Sequence, residues 1–229
     1  MSFTWTALIP GVGHEYAHVA TAGIVTTGLV GIGALAKFSL GIGQTAITPV
    51  GKFSLRGILE TITEFIADLA DTVIGHNGRS YVPFFASAFT FTLVNNLVGM
   101  LPGMAPATEN LNTTLAMGVF MFLAYNIIGL KVQGIGYLKH FLGPVWYLIV
   151  LMLPIEIISN LLRPLTLGLR LANVLKGDHT VIGVFTDLVP IGVPVVFYLL
   201  GLIVALVQAF VFTLLSMVYV ALATAHQEH

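Results

Sequence analysis

Glu156, Asn160, Arg163, Leu167, Arg170, Asn173 and Gly177 follow one another at spacings of four, three, four, three, three and four residues. Positions i+3 and i+4 share a face of an α-helix. One stripe of such a helix therefore carries a carboxylate, two carboxamides and two guanidinium groups, while Leu161, Leu162, Leu165, Leu169 and Leu171 cover much of the rest. The surrounding sequence is strongly apolar, and a charge at bilayer depth costs about 2.5 kcal/mol or more. Charges persist there when they face a partner, a wet cavity or a function. A polar stripe in that setting reads as the wall of an ionic pathway, with protons the first candidate. Arg170 is its centre, because no acid lies within two turns to neutralise it and the nearest downstream acid is Asp178. Arg163 has an ordinary alternative as the ion-pair partner of Glu156. Lys176, near the expected end of its segment, would snorkel to the interface. In the last apolar segment Gln208, Phe212, Leu215 and Tyr219 share a face, and Gln208 is a natural neighbour for Arg170 if the two helices pack antiparallel. Helix-packing glue is the alternative role for Asn173 and Gln208.

The elements that must hold these groups are membrane spans. Of the 229 residues 57% are hydrophobic and 8% charged, against about 25% charged in soluble domains. The formal net charge of −1 gives no basic field for nucleic acid, and the absence of cysteine excludes disulfides, thiolate metal sites and a cysteine nucleophile. Met1 to Ile9 lack the basic start of a cleaved leader, so none is expected. A span needs about 20 mostly apolar residues. Residues 18–36, 83–101 and 113–130 qualify, the last with Asn112 or Thr113 as its helix cap. Two further segments, from about Val145 to Lys176 and from about Pro194 to Ala225, exceed the hydrocarbon thickness of about 30 Å at about 1.5 Å per residue. Tilt, or a kink at Pro164, is the expected accommodation.

Residues 53–74 differ. Leu55, Ile58, Leu59, Ile62, Phe65, Ile66, Leu69 and Val73 recur at helical spacing, with Arg56, Glu60, Glu64, Asp68 and Asp71 elsewhere. That pattern predicts an amphipathic helix at the membrane surface, or one that binds a partner. The expected fold is an all-α integral membrane protein forming a single membrane domain. It has an outer N-terminal segment over 1–17, about five transmembrane helices and one cytoplasmic surface helix. Two long, strongly tilted helices over 145–225 form the ion path.

Lysine and arginine set the direction. Lys37, Lys52, Arg56 and Arg79 lie between the first and second spans, and Lys131 and Lys139 between the third and fourth. The segment before the first span has none, and the loop from Pro102 to Asn112 has none but carries Glu109. The N-terminus is therefore expected outside and the C-terminus in the cytoplasm. No P-loop, dinucleotide turn or HExxH motif is present. His14 and His18 stand at i and i+4, but the residues between them do not make a zinc-protease motif, and they read as surface histidines at the outer mouth of the first span. No metal site and no cofactor are expected.

RPLTLGLRLANVLKGDH (Arg163 to His179) followed by LVQAFVFTLLSMVYVALA (Leu206 to Ala223) resembles subunit a of the F-type ATP synthases. SYVPFFASAFTFTLVNNLVGMLPG and ENLNTTLAMGVFMFLAYN are similar to that family's middle spans, and ILETITEFIADLADTVIG to its surface helix. The first fifty residues add little. The resemblance implies a stator subunit in the bacterial inner membrane, not catalytic alone, within a multi-subunit assembly containing a c-ring and peripheral-stalk b subunits. It implies two offset half-channels reaching the c-ring carboxylates, so that an ion gradient drives rotation and ATP synthesis. The family's essential arginine falls on Arg170, its polar partner on Gln208, and Glu156 and Tyr219 also match family positions. Arg163 and Asn160 extend the pathway. Asn173 stands one residue early in the family's Arg-Leu-x-x-Asn pattern, or Val174 holds that position. The family often pairs an acid and a histidine on the intake side, one from each long helix. Here Asp178 or His179 matches the first position, while the second is Gly201, which cannot titrate. Asp178 and His179, with Asp187 as a further candidate, are the expected intake groups. A self-contained transporter should show an inverted repeat or paired broken helices, and neither is present. A scaffold with no ion path would make Arg170 dispensable.

Overall fold

The computed structural model describes residues 16–39, 55–75, 77–101, 104, 106–134, 136–137, 149–189 and 192–224. His14, Lys52, Lys139 and the expected segment ends at Val145 and Ala225 lie outside them. The described residues form six helices: α1 (Ala17–Ser39), α2 (Leu55–Val73), α3 (Val82–Val98), α4 (Leu111–Gln133), α5 (Ile149–Leu188) and α6 (Val193–Thr224). Single 3-10 turns precede α3 and α4 at Gly78–Tyr81 and Ala107–Glu109. Five helices, all but α2, are long and apolar enough to cross a membrane, which makes this an all-α membrane protein.

Local chemistry explains three of the helix ends. Pro83 sits in the first turn of α3, where its missing N–H forfeits no hydrogen bond. The cap of α4 is Asn110, not Asn112 or Thr113: the Asn110 side chain accepts from the backbone N–H of Asn112 at 2.9 Å. Asn112 instead lies inside the first turn. At the other end Gly134 adopts φ +59° and donates its N–H to the Leu130 carbonyl, a left-handed stop that glycine takes without Cβ strain. The α5 helix runs on to Leu188, past Lys176, and contains both Pro154 and Pro164. Lys176 is therefore exposed on the helix body rather than at its end.

The helices from α3 to α6 run alternately up and down. The most extensive contact joins α4 to α5, and α6 packs on α3, α4 and α5. Lipid gives helices no hydrophobic reason to associate, so small residues that allow close approach carry the packing. Gly118 of α4 lies against the Pro164 carbonyl of α5, and a Cβ on Gly168 would sit 2.8 Å from the Thr114 carbonyl oxygen. Ala205, Ala209, Thr213 and Ser216 form the buried face of α6. The amphipathic α2 lays Ile66 and Ala70 against the bundle, fully buried, with Phe65 6.2 Å from Phe89 and 6.0 Å from Phe210 between ring centroids. Its Glu64 and Asp68 are exposed. By contrast, α5 and α6 leave a broad apolar face open, including Leu161, Leu162, Leu165, Leu169, Leu199, Leu202, Ile203 and Leu206.

Candidate functional site

Arg170 emerges on that open face. Among the described residues no ion pair or side-chain hydrogen bond holds it, and none joins it to Gln208, which is half-buried on α6. Asn173 and Gly177 are exposed on the same side of α5, whereas Leu167 and Leu171 turn into the core with Met121 and Phe212.

Toward the N-terminal end of α5 lies a polar cluster. Arg163 reaches Glu156 at 4.0 Å and stands 5.3 Å from the centroid of the Tyr219 ring. The cation–π contact falls within its usual range of about 6 Å, whereas 4.0 Å is loose for an ion pair. Tyr219 neighbours Tyr125 at 5.7 Å between rings. The Tyr125 hydroxyl donates to Asn160 Oδ1 at 2.6 Å, the Tyr137 hydroxyl donates to Asn126 Oδ1 at 2.8 Å, and Asn160 Nδ2 approaches the same Asn126 oxygen at 3.4 Å. Burial pushes the Tyr137 phenol up, with the Arg163 charge opposing it, so it remains a donor at neutral pH.

A second cluster lies beyond Arg170 in the other direction. His179 Nδ1 meets Glu109 Oε2, in the 3-10 turn before α4, at 3.2 Å. Next along that turn, Asn110 Nδ2 is 3.3 Å from His18 Nδ1 on α1. Asp178 points across to α6, and a Cβ on Gly201 would collide with its Oδ2. Asp178 Oδ2, His179 Nε2 and Thr108 Oγ1 are buried with no hydrogen-bond partner among the described residues, as are the Oδ1 atoms of Asn95 and Asn96 on α3. Asn96 also donates to the Ala205 carbonyl of α6 at 3.0 Å. Asp187 is exposed near the end of α5.

The structure thus brings Glu156, Asn160, Arg163 and Tyr219 together, places Asp178 and His179 together elsewhere, and leaves Arg170 and Asn173 on the open face. Arg163 lies about 10 Å from Arg170 along the helix and Asp178 about 12 Å the other way, at about 1.5 Å per residue. Tyr125, Asn126, Tyr137 and Glu109 were not singled out as site residues from sequence. A Tyr-Asn pair inside an apolar span, and a lone acid in its connector, were the signals available. His18 is not a bare surface histidine, since its ring is half-buried against Asn110.

The sequence pattern of the family described as ATP synthase A chain matches residues 23–221. ATP synthase subunit a of Bdellovibrio bacteriovorus is 65% identical over 227 residues, covering 99% of each chain. ATP synthase subunit a 2 of Syntrophotalea carbinolica is 41% identical over 90% of this chain and 85% of its own. The subunit a of Geobacter sulfurreducens is 42% identical over 75% of this chain and 76% of its own. With five helices fit to span a membrane and a match over most of its length, this chain belongs to the ATP synthase A chain family.

Proposed function

We propose that the chain is the proton-conducting stator subunit of a bacterial F-type ATP synthase, and that Arg170 separates two half-channels built from the two polar clusters. One observation carries this reading: two distinct sets of ionisable and hydrogen-bonding groups flank Arg170 along α5, and Arg170 itself faces outward. The guanidinium stays protonated at any relevant pH, so it is a fixed positive charge between the two sets. In hydrocarbon such a charge needs a counter-charge. The open apolar face of α5 and α6 is where a rotating ring of c subunits would bring one, a carboxylate on each. As a carboxylate passes, Arg170 favours its ionised form, and its charge repels protons that would otherwise run directly between the clusters.

On the charge-based orientation, with the N-terminus outside and the C-terminus cytoplasmic, Glu109, Asp178 and His179 serve the outer half-channel. Glu156, Asn160, Arg163 and Tyr219 then serve the inner one. Gln208 on α6 and Asn173 on α5 would order the passing carboxylate. The acidic exposed side of α2 would meet the peripheral-stalk b subunits. Only protons change partners on this chain, which couples their flow to rotation.

Replacing Arg170 with Ala tests the reading. ATP-driven proton pumping and ATP synthesis should both disappear in membranes whose synthase is fully assembled. Retained coupled synthesis would refute it.

A further inference from the structure

The intake side of the proposed outer half-channel poses a chemical problem. Position 201 on α6 is a glycine, and a glycine neither takes up nor releases a proton. The neighbouring geometry shows what stands in its place. A side chain on Gly201 would have to begin where the Asp178 carboxylate already is, with Met100 Sδ and Cε both 3.2 Å away. The carboxylate therefore enters the α5–α6 seam from α5, and only a glycine leaves it room. Behind it His179, on the same helix, turns to Glu109. The His179 ring is also closed in by the chain near Gly99, where a Cβ would lie 2.9 Å from its Cε1. One ring nitrogen is thus engaged by a carboxylate, and the other, Nε2, is buried without a partner among the described residues.

All five such orphan atoms among the described residues belong to this end of the bundle: Asn95, Asn96, Thr108, Asp178 and His179. Each carries a desolvation penalty if left unmet. Five collected in one region, where the other buried polar side chains among the described residues are bonded, are what a small chain of internal waters satisfies. Glu109 is at the other margin, one-third exposed, beside the Asn110–His18 contact.

We propose that Glu109, His179 and Asp178 form one hydrated proton relay, with Glu109 its outermost group and Asp178 supplying across the seam the carboxylate that position 201 lacks. The proposal rests on the half-channel reading above. A proton taken from water by Glu109 passes to Nδ1 of His179. The imidazolium releases its Nε2 proton through water to Asp178 Oδ2, and exchange of the remaining Nδ1 proton to Nε2 through the same internal waters restores the starting tautomer. Once Asp178 has passed its proton on, one full cycle has moved one proton and returned each group to its initial charge state.

The test uses membrane vesicles carrying the whole synthase, with subunit content checked by blotting. Glu109→Gln should lower ATP-driven acidification and passive proton flux on the order of tenfold, part of a typical acid–base contribution because water still reaches His179. Glu109→Asp should keep most of the flux. Asp178→Ala should lose flux likewise, and Asp178→Ala combined with Gly201→Asp should regain at least half, since the vacated space then receives a carboxylate from α6. Wild-type flux in Glu109→Gln, with Arg170→Ala still abolishing coupling, would overturn the relay and leave the half-channel reading standing. A double variant no better than Asp178→Ala would overturn the stand-in role of Asp178. Coupled synthesis in Arg170→Ala would instead overturn the reading on which both rest.

Discussion

The helix that carries Arg170 is held in place by glycine, and that makes its position sensitive to a single methyl group. Gly168 is two residues from Arg170 on the opposite, buried face of α5. A Cβ there would stand 2.8 Å from the Thr114 carbonyl oxygen and 3.0 Å from Leu115 Cα. Relaxed carbon contacts lie at about 3.5–4.0 Å, so α4 and α5 must part by roughly 0.5–1 Å to admit it. Overpacking of this kind costs about 1–3 kcal/mol. Alanine recovers about 1 kcal/mol through its helix propensity, whereas valine adds two further methyls against backbone and recovers less. The same displacement reaches the guanidinium, and a misplacement of about 1 Å can cost on the order of a hundredfold in a geometry-dependent step. Gly168→Ala should therefore lower the unfolding midpoint of the detergent-purified complex slightly and slow ATP-driven acidification several-fold. Gly168→Val should lower both much further. Gly183→Ala, also on α5 but with nothing within 4 Å of the added Cβ, is the control and should leave the midpoint unchanged or raise it. Wild-type stability and pumping in Gly168→Val would refute the claim that close backbone contact with α4 positions Arg170.

Two further substitutions probe the packing around the clusters. Tyr125→Phe removes the donor to Asn160 Oδ1 and leaves that buried oxygen short of a partner, so it should destabilise the protein by about 1–3 kcal/mol, read as a lower midpoint in thermal unfolding. Asn96→Ala deletes the hydrogen bond to the Ala205 carbonyl that ties α3 to α6, and should cost about 0.6–1.7 kcal/mol, the range for polar contacts between membrane helices. An unchanged midpoint would show that this bond is replaced by water.

Hydropathy was enough to find the spans because lipid demands long apolar helices, and length alone separated α5 and α6 from the rest. It misjudged where α5 stops. Lys176, Asp178 and His179 end the apolar run, but charge does not break a helix. The chain turns only near Gly192, whose φ is +90°. The cap of α4 was misplaced by two residues because Asn110 and Asn112 are both good caps, and backbone geometry alone decides between them. Contacts such as His179 with Glu109 join residues 70 apart in sequence, and no local pattern encodes them.

The stripe from Glu156 to Gly177 was legible as a stripe but not as two sites. Its mean spacing is 3.5 residues, while a straight α-helix turns once in about 3.6, so the stripe drifts by about 20° for every seven residues. Within the stripe the scatter is larger: at about 100° per residue Arg170 points about 80° and Asn173 about 140° away from Asn160. That rotation separates Asn160, buried against Tyr125, from Arg170 and Asn173, exposed on the open face. Asp178 and His179 fall off the stripe altogether, onto the buried side of α5 beside α6 and the Glu109 turn. A proton held at Asp178 is therefore in the helix seam, and Arg170 is on the surface outside it. In the proposed mechanism the two meet only when a c-subunit carboxylate lies against the open face and collects the proton at its edge. The same rotation that hides Asp178 from Arg170 in the isolated chain thus makes proton transfer conditional on the rotor being there.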